Sequence, residues 1–437
     1  MTTRLQGNTL QRTVLPCGLR VLTEQLPASR SALVGMWVAV GSRDEPVAVA
    51  GAAHYLEHLL FKGTTRRSAV AIAQEIDAVG GELNAFTTKE HTCYHAHVLD
   101  SDLELAVDLV CDVLGDALLK QSDVDTERGV VLEELAMRDD DPEDLVHDEF
   151  CAALFGSHPL ARPVLGTEES VTRMSREALH RFYRRRYTPE RMVLTVIGNV
   201  THGAVLAALA RGFGHHLTGS AQPVRPRRGQ ATITGRRALA LCPDSSEQVH
   251  LMLGVRAIDR HDDRRYVLGV LNAALGGGMS SRLFQQVREQ RGLAYSVYSA
   301  VDCYADIGSL SIYAGCSPGR LGEVAAVVGD VLVDVARDGL SDTELARGKG
   351  QLSGGLVLDL EDAGSRMTRI GTEELDHGEH HTVEHELRRI AAVTGEQVGE
   401  LARELLRRPI TVAVAGPYAG AEDLPDEIAE LIAHDPR

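Results

Sequence analysis

The sequence predicts an α+β protein built from two duplicated domains, and three observations carry that prediction. A chain of 437 residues is longer than a single hydrophobic core usually serves. Short Val-rich apolar runs alternate along it with stretches of helical periodicity. The landmarks then recur in the same order in the second half, where Leu268 and Leu271 match Leu56 and Leu59 at an offset of 212.

In chain order, Ala32–Gly41 with the preceding Ser31 is predicted to be a buried strand, and Ser42-Arg43-Asp44-Glu45-Pro46 breaks it. Val49–Phe61 turns helical and ends at Lys62-Gly63. A second helix over Ala69–Val79 stops at Gly80-Gly81, and a strand-like run follows from Leu83 to Leu99. Residues 101–119 and 122–138 read as helices, and the acidic run 139–144 as a solvated turn or a helix start. Met192–Gly198 closes the first half as a strand.

An Arg/Pro/Gly-rich stretch at 215–237 reads as a linker. Gln248–Ala257 then repeats the strand at Ala32–Arg43, and Tyr266–Leu275 repeats the helix at His54–Gly63. ITVAVAG, ending at Gly416, repeats the closing strand that ends at Gly198. The expected boundaries are therefore 1–214, 215–237 and 238–437, each domain of roughly 200 residues. Gly276-Gly277-Gly278 lacks the surroundings of a phosphate loop and reads as a tight turn after a helix.

Composition excludes several classes. A net charge of −17 and a pI near 5.5 speak against nucleic acid as partner, since phosphate binding needs a basic surface. Seven scattered cysteines without a C-x-x-C pair fit reduced intracellular thiols. No apolar run reaches membrane-spanning length, and the first residues lack the apolar core of a signal peptide. The expected location is the cytoplasm, with no membrane partner. With 44% hydrophobic residues the core needs no metal staple, so a bound metal would belong to chemistry.

One helix carries that chemistry. His54, Glu57 and His58 stand at i, i+3 and i+4, on one helical face. Two imidazoles so placed can hold one ion, and the glutamate lies beside it as a base; H-x-x-E-H is a zinc peptidase pattern. The competing reading is coincidence, as the chain holds 18 histidines. Against it, this helix is Ala/Leu-rich and half-buried, where such polar groups are costly without a role. A third ligand is needed, and the helix at 122–138 offers Glu127 and Glu134, seven residues apart on one face, with Glu133 turned away. Glu134 is the choice for the ligand and Glu127 for a supporting group. Spacing alone fits an ordinary acidic helix face equally well. The second half has Tyr266, Gly269 and Val270 at the three motif positions, so it cannot bind metal there.

Four blocks, GAAHYLEHLLFKGT, GGELNAFTTKEHTCYHAHVL, TERGVVLEELAMRDDDP and GGGMSSRLFQQVREQRGLAYSVYS, resemble the pitrilysin (insulinase-type) zinc peptidases. The branch they most resemble is that of mitochondrial processing peptidase and its bacterial homologues. The resemblance runs from about Leu15 to Gly416. It implies one Zn2+ per chain on His54, His58 and Glu134, with Glu57 as general base and Glu127 in support. It implies a peptide substrate adding to an edge strand at Asn84, Ala85, Phe86 and Thr87. It gives Tyr295 an oxyanion-stabilising role and Arg288 the holding of a substrate carbonyl. It implies domains that are each a mostly antiparallel sheet with helices on one face, facing each other across a peptide chamber. Domain 1–214 would be the catalytic zinc-binding one, and 238–437 the non-metal one that completes the substrate site. The shorter relatives complete the chamber as dimers. A homodimer is expected here, with a heterodimer beside an inactive paralogue as the other arrangement.

The expected function is hydrolysis of peptides or unfolded polypeptide segments by a zinc metalloendopeptidase. The alternative is a non-catalytic peptide-binding subunit of a processing-peptidase-like complex, against which the intact Glu57 counts. A generic His/Glu metal-binding protein is a third reading, and a single site is a poor design for metal storage.

Overall fold

The computed structural model describes residues 2–5 and 10–433. Residues 1, 6–9 and 434–437, at the ends of the two expected domains, lie outside the described residues. The chain forms two compact units, one from Met1–Leu135, Arg162–Pro226 and Leu358–Thr382, the other from Ala136–Ala161, Arg227–Val357 and Val383–Arg437. The units thus depart from contiguous halves, because each takes in one segment of the other half of the sequence.

The first unit is built on a seven-stranded sheet. Its strands are β1 (Thr2–Leu5), β2 (Leu10–Val14), β3 (Arg20–Gln25), β4 (Ser31–Val38), β5 (Glu82–Thr87), β6 (Thr92–Leu99) and β7 (Met192–Gly198). They lie in the order β1-β2-β3-β7-β4-β6-β5. Only β3 and β7 are parallel; the other pairs are antiparallel. The Val-rich β4 lies inside the sheet and is buried from Ala32 to Val38, as expected for a strand covered on both faces. The run Leu83–Leu99 is two strands rather than one, a hairpin in which Thr88 N–H donates to the His91 carbonyl.

On one face of this sheet, helices Ala52–Leu60, Leu103–Gly115 and His202–Gly212 bury Leu56, Leu59, Val107, Val110 and Leu209 in the main core. The opposite face, with Leu33, Trp37, Val193 and Ile197, is covered by helix Ala363–Asp376 through Met367, Ile370 and Leu375. Gly371 allows that contact, since a Cβ there would stand 2.3 Å from the Trp37 ring.

The second unit repeats the plan. Its strands are β8 (Leu239–Pro243), β9 (Val249–Ala257), β10 (Ala294–Cys303), β11 (Gly308–Cys316) and β12 (Thr411–Gly416), in the order β10-β11-β9-β12-β8. Read from the other end, β8-β12-β9-β11-β10 answers β3-β7-β4-β6-β5, and β12 with β8 is again the parallel pair. Helices Arg265–Leu275, Leu321–Asp338 and Gly395–Leu406 pack on one face. Helix Pro142–Phe155 covers the other through Val146, Phe150 and Phe155. The acidic run at 139–144 spans the end of helix Gln121–Asp139 and the start of helix Pro142–Phe155, with Asp141 accepting from the Glu143 and Asp144 N–H groups and Pro142 in the first turn. Gly276 ends helix Arg265–Leu275 where a Cβ would be 2.4 Å from the Ser299 N, so close approach to β10 explains the glycine. Among the described residues, no helix is long and apolar enough to cross a membrane.

Candidate metal centre

Helix Ala52–Leu60 buries Ala52, Ala53, Tyr55, Leu56, Leu59 and Leu60. The 3.6-residue period that turns these inward places His54, Glu57 and His58 together on the remaining face. The helix starts at Gly51, whose φ of +89° suits glycine. Its first N–H groups are satisfied from a distance, since Glu45 accepts from Gly51 N and Ala53 N at 2.7 Å each. The segment that breaks the strand is buried at Ser42, Arg43 and Glu45. Arg43 pairs there with Glu90, and Arg162 donates to the Glu45 carbonyl at 2.8 Å. Burial pushes the Glu45 carboxyl up to about 8, against the two amide N–H groups and Arg162.

A second helix, Gln121–Asp139, brings the carboxylates. It is tied to the first by the Tyr55 hydroxyl, which donates to the Val124 carbonyl. Glu134 Oε2 lies 3.6 Å from His54 Nε2 and 3.5 Å from His58 Nε2. The two imidazole centroids are 4.8 Å apart. On its other side, His58 Nδ1 is 3.3 Å from Glu127 Oε2, and Lys62 Nζ is 2.8 Å from Glu127 Oε1. Thr87 on β5 donates its hydroxyl to Glu57 Oε2.

The donor set fits a zinc-like ion. Ligand atoms of His54, His58 and Glu134 lie within 4.8 Å of one another. Glu134 Oε2 and His54 Nδ1 are buried without a hydrogen-bond partner. Separations of 3.5–3.6 Å are long for hydrogen bonds. They approach the spacing of about 3.3–3.5 Å between ligands about 2.0–2.1 Å from a tetrahedral ion. Burial, then the adjacent His58, lowers the His54 pKa to about 4, which leaves a neutral imidazole with a lone pair to offer. Burial also raises the Glu57 pKa, opposed by the Thr87 hydroxyl and His58.

Of the residues read from the sequence, the structure brings His54, His58, Glu134, Glu57, Glu127 and Thr87 together in the first unit. Asn84, Ala85, Phe86 and Thr87 lie on β5, the edge of the sheet. At that edge the Ala85 N–H is taken by the Asn84 side chain at 2.8 Å. Phe86 turns to the opposite face and meets Trp37 at 5.7 Å between centroids. Arg288 and Tyr295 belong to the second unit, with the guanidinium 5.1 Å from the Tyr295 ring centre and the tyrosine 81% exposed. Both line an open cavity with Gln248 and Ser317. The sequence reading missed Glu45, Tyr55 and Lys62. Only Lys62, four residues after His58 at the helix end, carried a positional signal.

Residues 20–168 match the family model for insulinase, peptidase family M16, and residues 173–352 that for the M16 inactive domain. An uncharacterized zinc protease of Mycobacterium leprae is 57% identical over 96% of this chain and 95% of its own length. One of Bacillus subtilis is 38% identical over 92% of this chain and 96% of its own. In fold, the chain is similar to a protease from Helicobacter pylori, with a TM-score of 0.86 at 21% identity over 93% of this chain and 99% of that one. It is also similar to a peptidase M16 inactive domain from Pseudomonas fluorescens, with a TM-score of 0.83 at 22% identity over 95% of this chain and 100% of that one.

Proposed function

The chain belongs to peptidase family M16, the insulinase type, and from that premise we propose that it is a zinc metalloendopeptidase cutting peptides or unfolded polypeptide segments. The observation that carries the reading is the meeting of His54, His58 and Glu134 around one point, with Glu57 on the same helical face. These three residues would hold one zinc ion per chain. When bound, zinc polarises a peptide carbonyl and lowers the pKa of water towards neutrality.

Glu57 does the proton work. It removes a proton from the attacking water and delivers it to the leaving amine nitrogen. Burial strengthens it as a base by raising its pKa, and the Thr87 hydroxyl fixes Oε2 while Oε1 carries the proton. Glu127 holds the His58 ring by accepting from Nδ1. The sheet edge at Asn84–Thr87 takes the substrate main chain as an added strand, which suits an unfolded peptide of any sequence. The family's positions give Tyr295 the developing oxyanion and Arg288 a substrate carbonyl. Their mutual stacking and exposure support a surface that meets a ligand.

The reading extends to a cytoplasmic protein that works as a dimer. The metal motif and the Arg288/Tyr295 pair in one chain support a homodimer over a pairing with an inactive paralogue. The test is Glu57→Gln. Turnover of an unstructured peptide falls about 10²–10⁴-fold while zinc content stays at the native level. Unchanged turnover defeats the base assignment.

A further inference from the structure

A second group of ligating side chains lies in the first unit, apart from the centre described above. Asp116 ends helix Leu103–Gly115, and His215 and His216 lie on the single turn Gly214–His216. Their ligand atoms fall within 4.8 Å of one another. His215 Nε2 is 2.9 Å from Asp116 Oδ2, and His216 Nε2 is 3.2 Å from Asp116 Oδ1. We propose that Asp116, His215 and His216 form a second transition-metal site.

The arrangement is prepared rather than incidental. Adjacent residues on a tight turn point their side chains apart, yet these two ring centroids are 4.0 Å apart and both Nε2 atoms face one carboxylate. The His216 ring is held by the buried Phe213, 4.7 Å away. Gly115 makes room for it, as a Cβ there would lie 2.5 Å from His216 Nε2. Asp116 is fixed by its backbone, its N–H donating to the Asp112 carbonyl and its carbonyl accepting from Thr65 N.

Two imidazoles and one carboxylate select zinc, nickel, cobalt or copper over magnesium or calcium. His215 is exposed, so the remaining position opens to water. An ion here would clamp the end of helix Leu103–Gly115 to the turn after helix His202–Gly212 and would stabilise the unit by binding only the folded state.

The test is zinc stoichiometry by equilibrium dialysis, with thermal unfolding alongside. The native chain binds two zinc ions and the His215→Ala/His216→Ala variant one, with peptide cleavage unchanged. The His54→Ala/His58→Ala variant binds one, and zinc raises its Tm. Combining all four substitutions abolishes both the binding and the Tm shift. One zinc in the native chain, or a zinc-induced Tm shift that survives in the variant with all four substitutions, overturns the proposal.

Discussion

His58 faces two carboxylates at once, Glu134 from Nε2 and Glu127 from Nδ1. Glu127, paired with Lys62, accepts from Nδ1, an arrangement that leaves the Nε2 lone pair for an ion. Glu127→Ala is therefore expected to weaken zinc binding about 10–100-fold. Chelator competition measures this, and an affinity equal to the native one removes the supporting role. The spacing of His54, Glu57 and His58 made their shared face legible in the sequence, and the seven-residue step did the same for Glu127 and Glu134. Glu45 was not legible. A charged run after a strand looks solvated until the fold buries it, and its hydrogen bonds to Gly51 and Ala53 arise only when the chain doubles back.

Helix Ala363–Asp376 shows how an element's setting reverses a local rule. Glycine to alanine inside a helix ordinarily stabilises by about 1 kcal/mol. At Gly371 the added Cβ would meet the Trp37 ring at 2.3 Å, so Gly371→Ala should destabilise the first unit by about 1–3 kcal/mol. A lowered Tm is the expected result, and a raised one would mean that the helix does not press on Trp37.

The same helix carries a pH response. Burial would raise the Glu374 pKa, but hydrogen bonds from His380 and Arg12 hold it at about 2. Its stabilisation is present above about pH 4.3 and is lost as pH falls through about 2. Burial opposes charge on His380, yet hydrogen bonds to Glu373 and Glu374 raise its pKa. That contribution is complete below about pH 6.5 and is lost as pH rises through the higher folded value. Native protein should thus lose more Tm than His380→Gln on going from pH 6 to pH 9, about the two sides of the ordinary histidine pKa. Parallel curves would dismiss the ion pair as a source of stability.

For the whole molecule, the two main cores are apolar and contain none of the three candidate ligands. Chelator treatment should therefore stop peptide cleavage while leaving far-UV circular dichroism intact. Collapse of the secondary structure on metal removal would make the ion a structural one. Helices Pro142–Phe155 and Ala363–Asp376 each cover a sheet built mainly from the other half of the sequence.

The sequence by itself determined the alternation of strands and helices, the duplication, and the face that carries His54, Glu57 and His58. These depend on residue spacing along one element, which local backbone geometry converts directly into direction. Tertiary structure decided which sheet each covering helix serves, that Asn84–Thr87 forms a sheet edge, and that Asp116 meets His215 and His216 from about a hundred positions away. An apolar stripe states that a helix needs a partner but not which one, because non-local pairing is chosen by the packing of the whole chain.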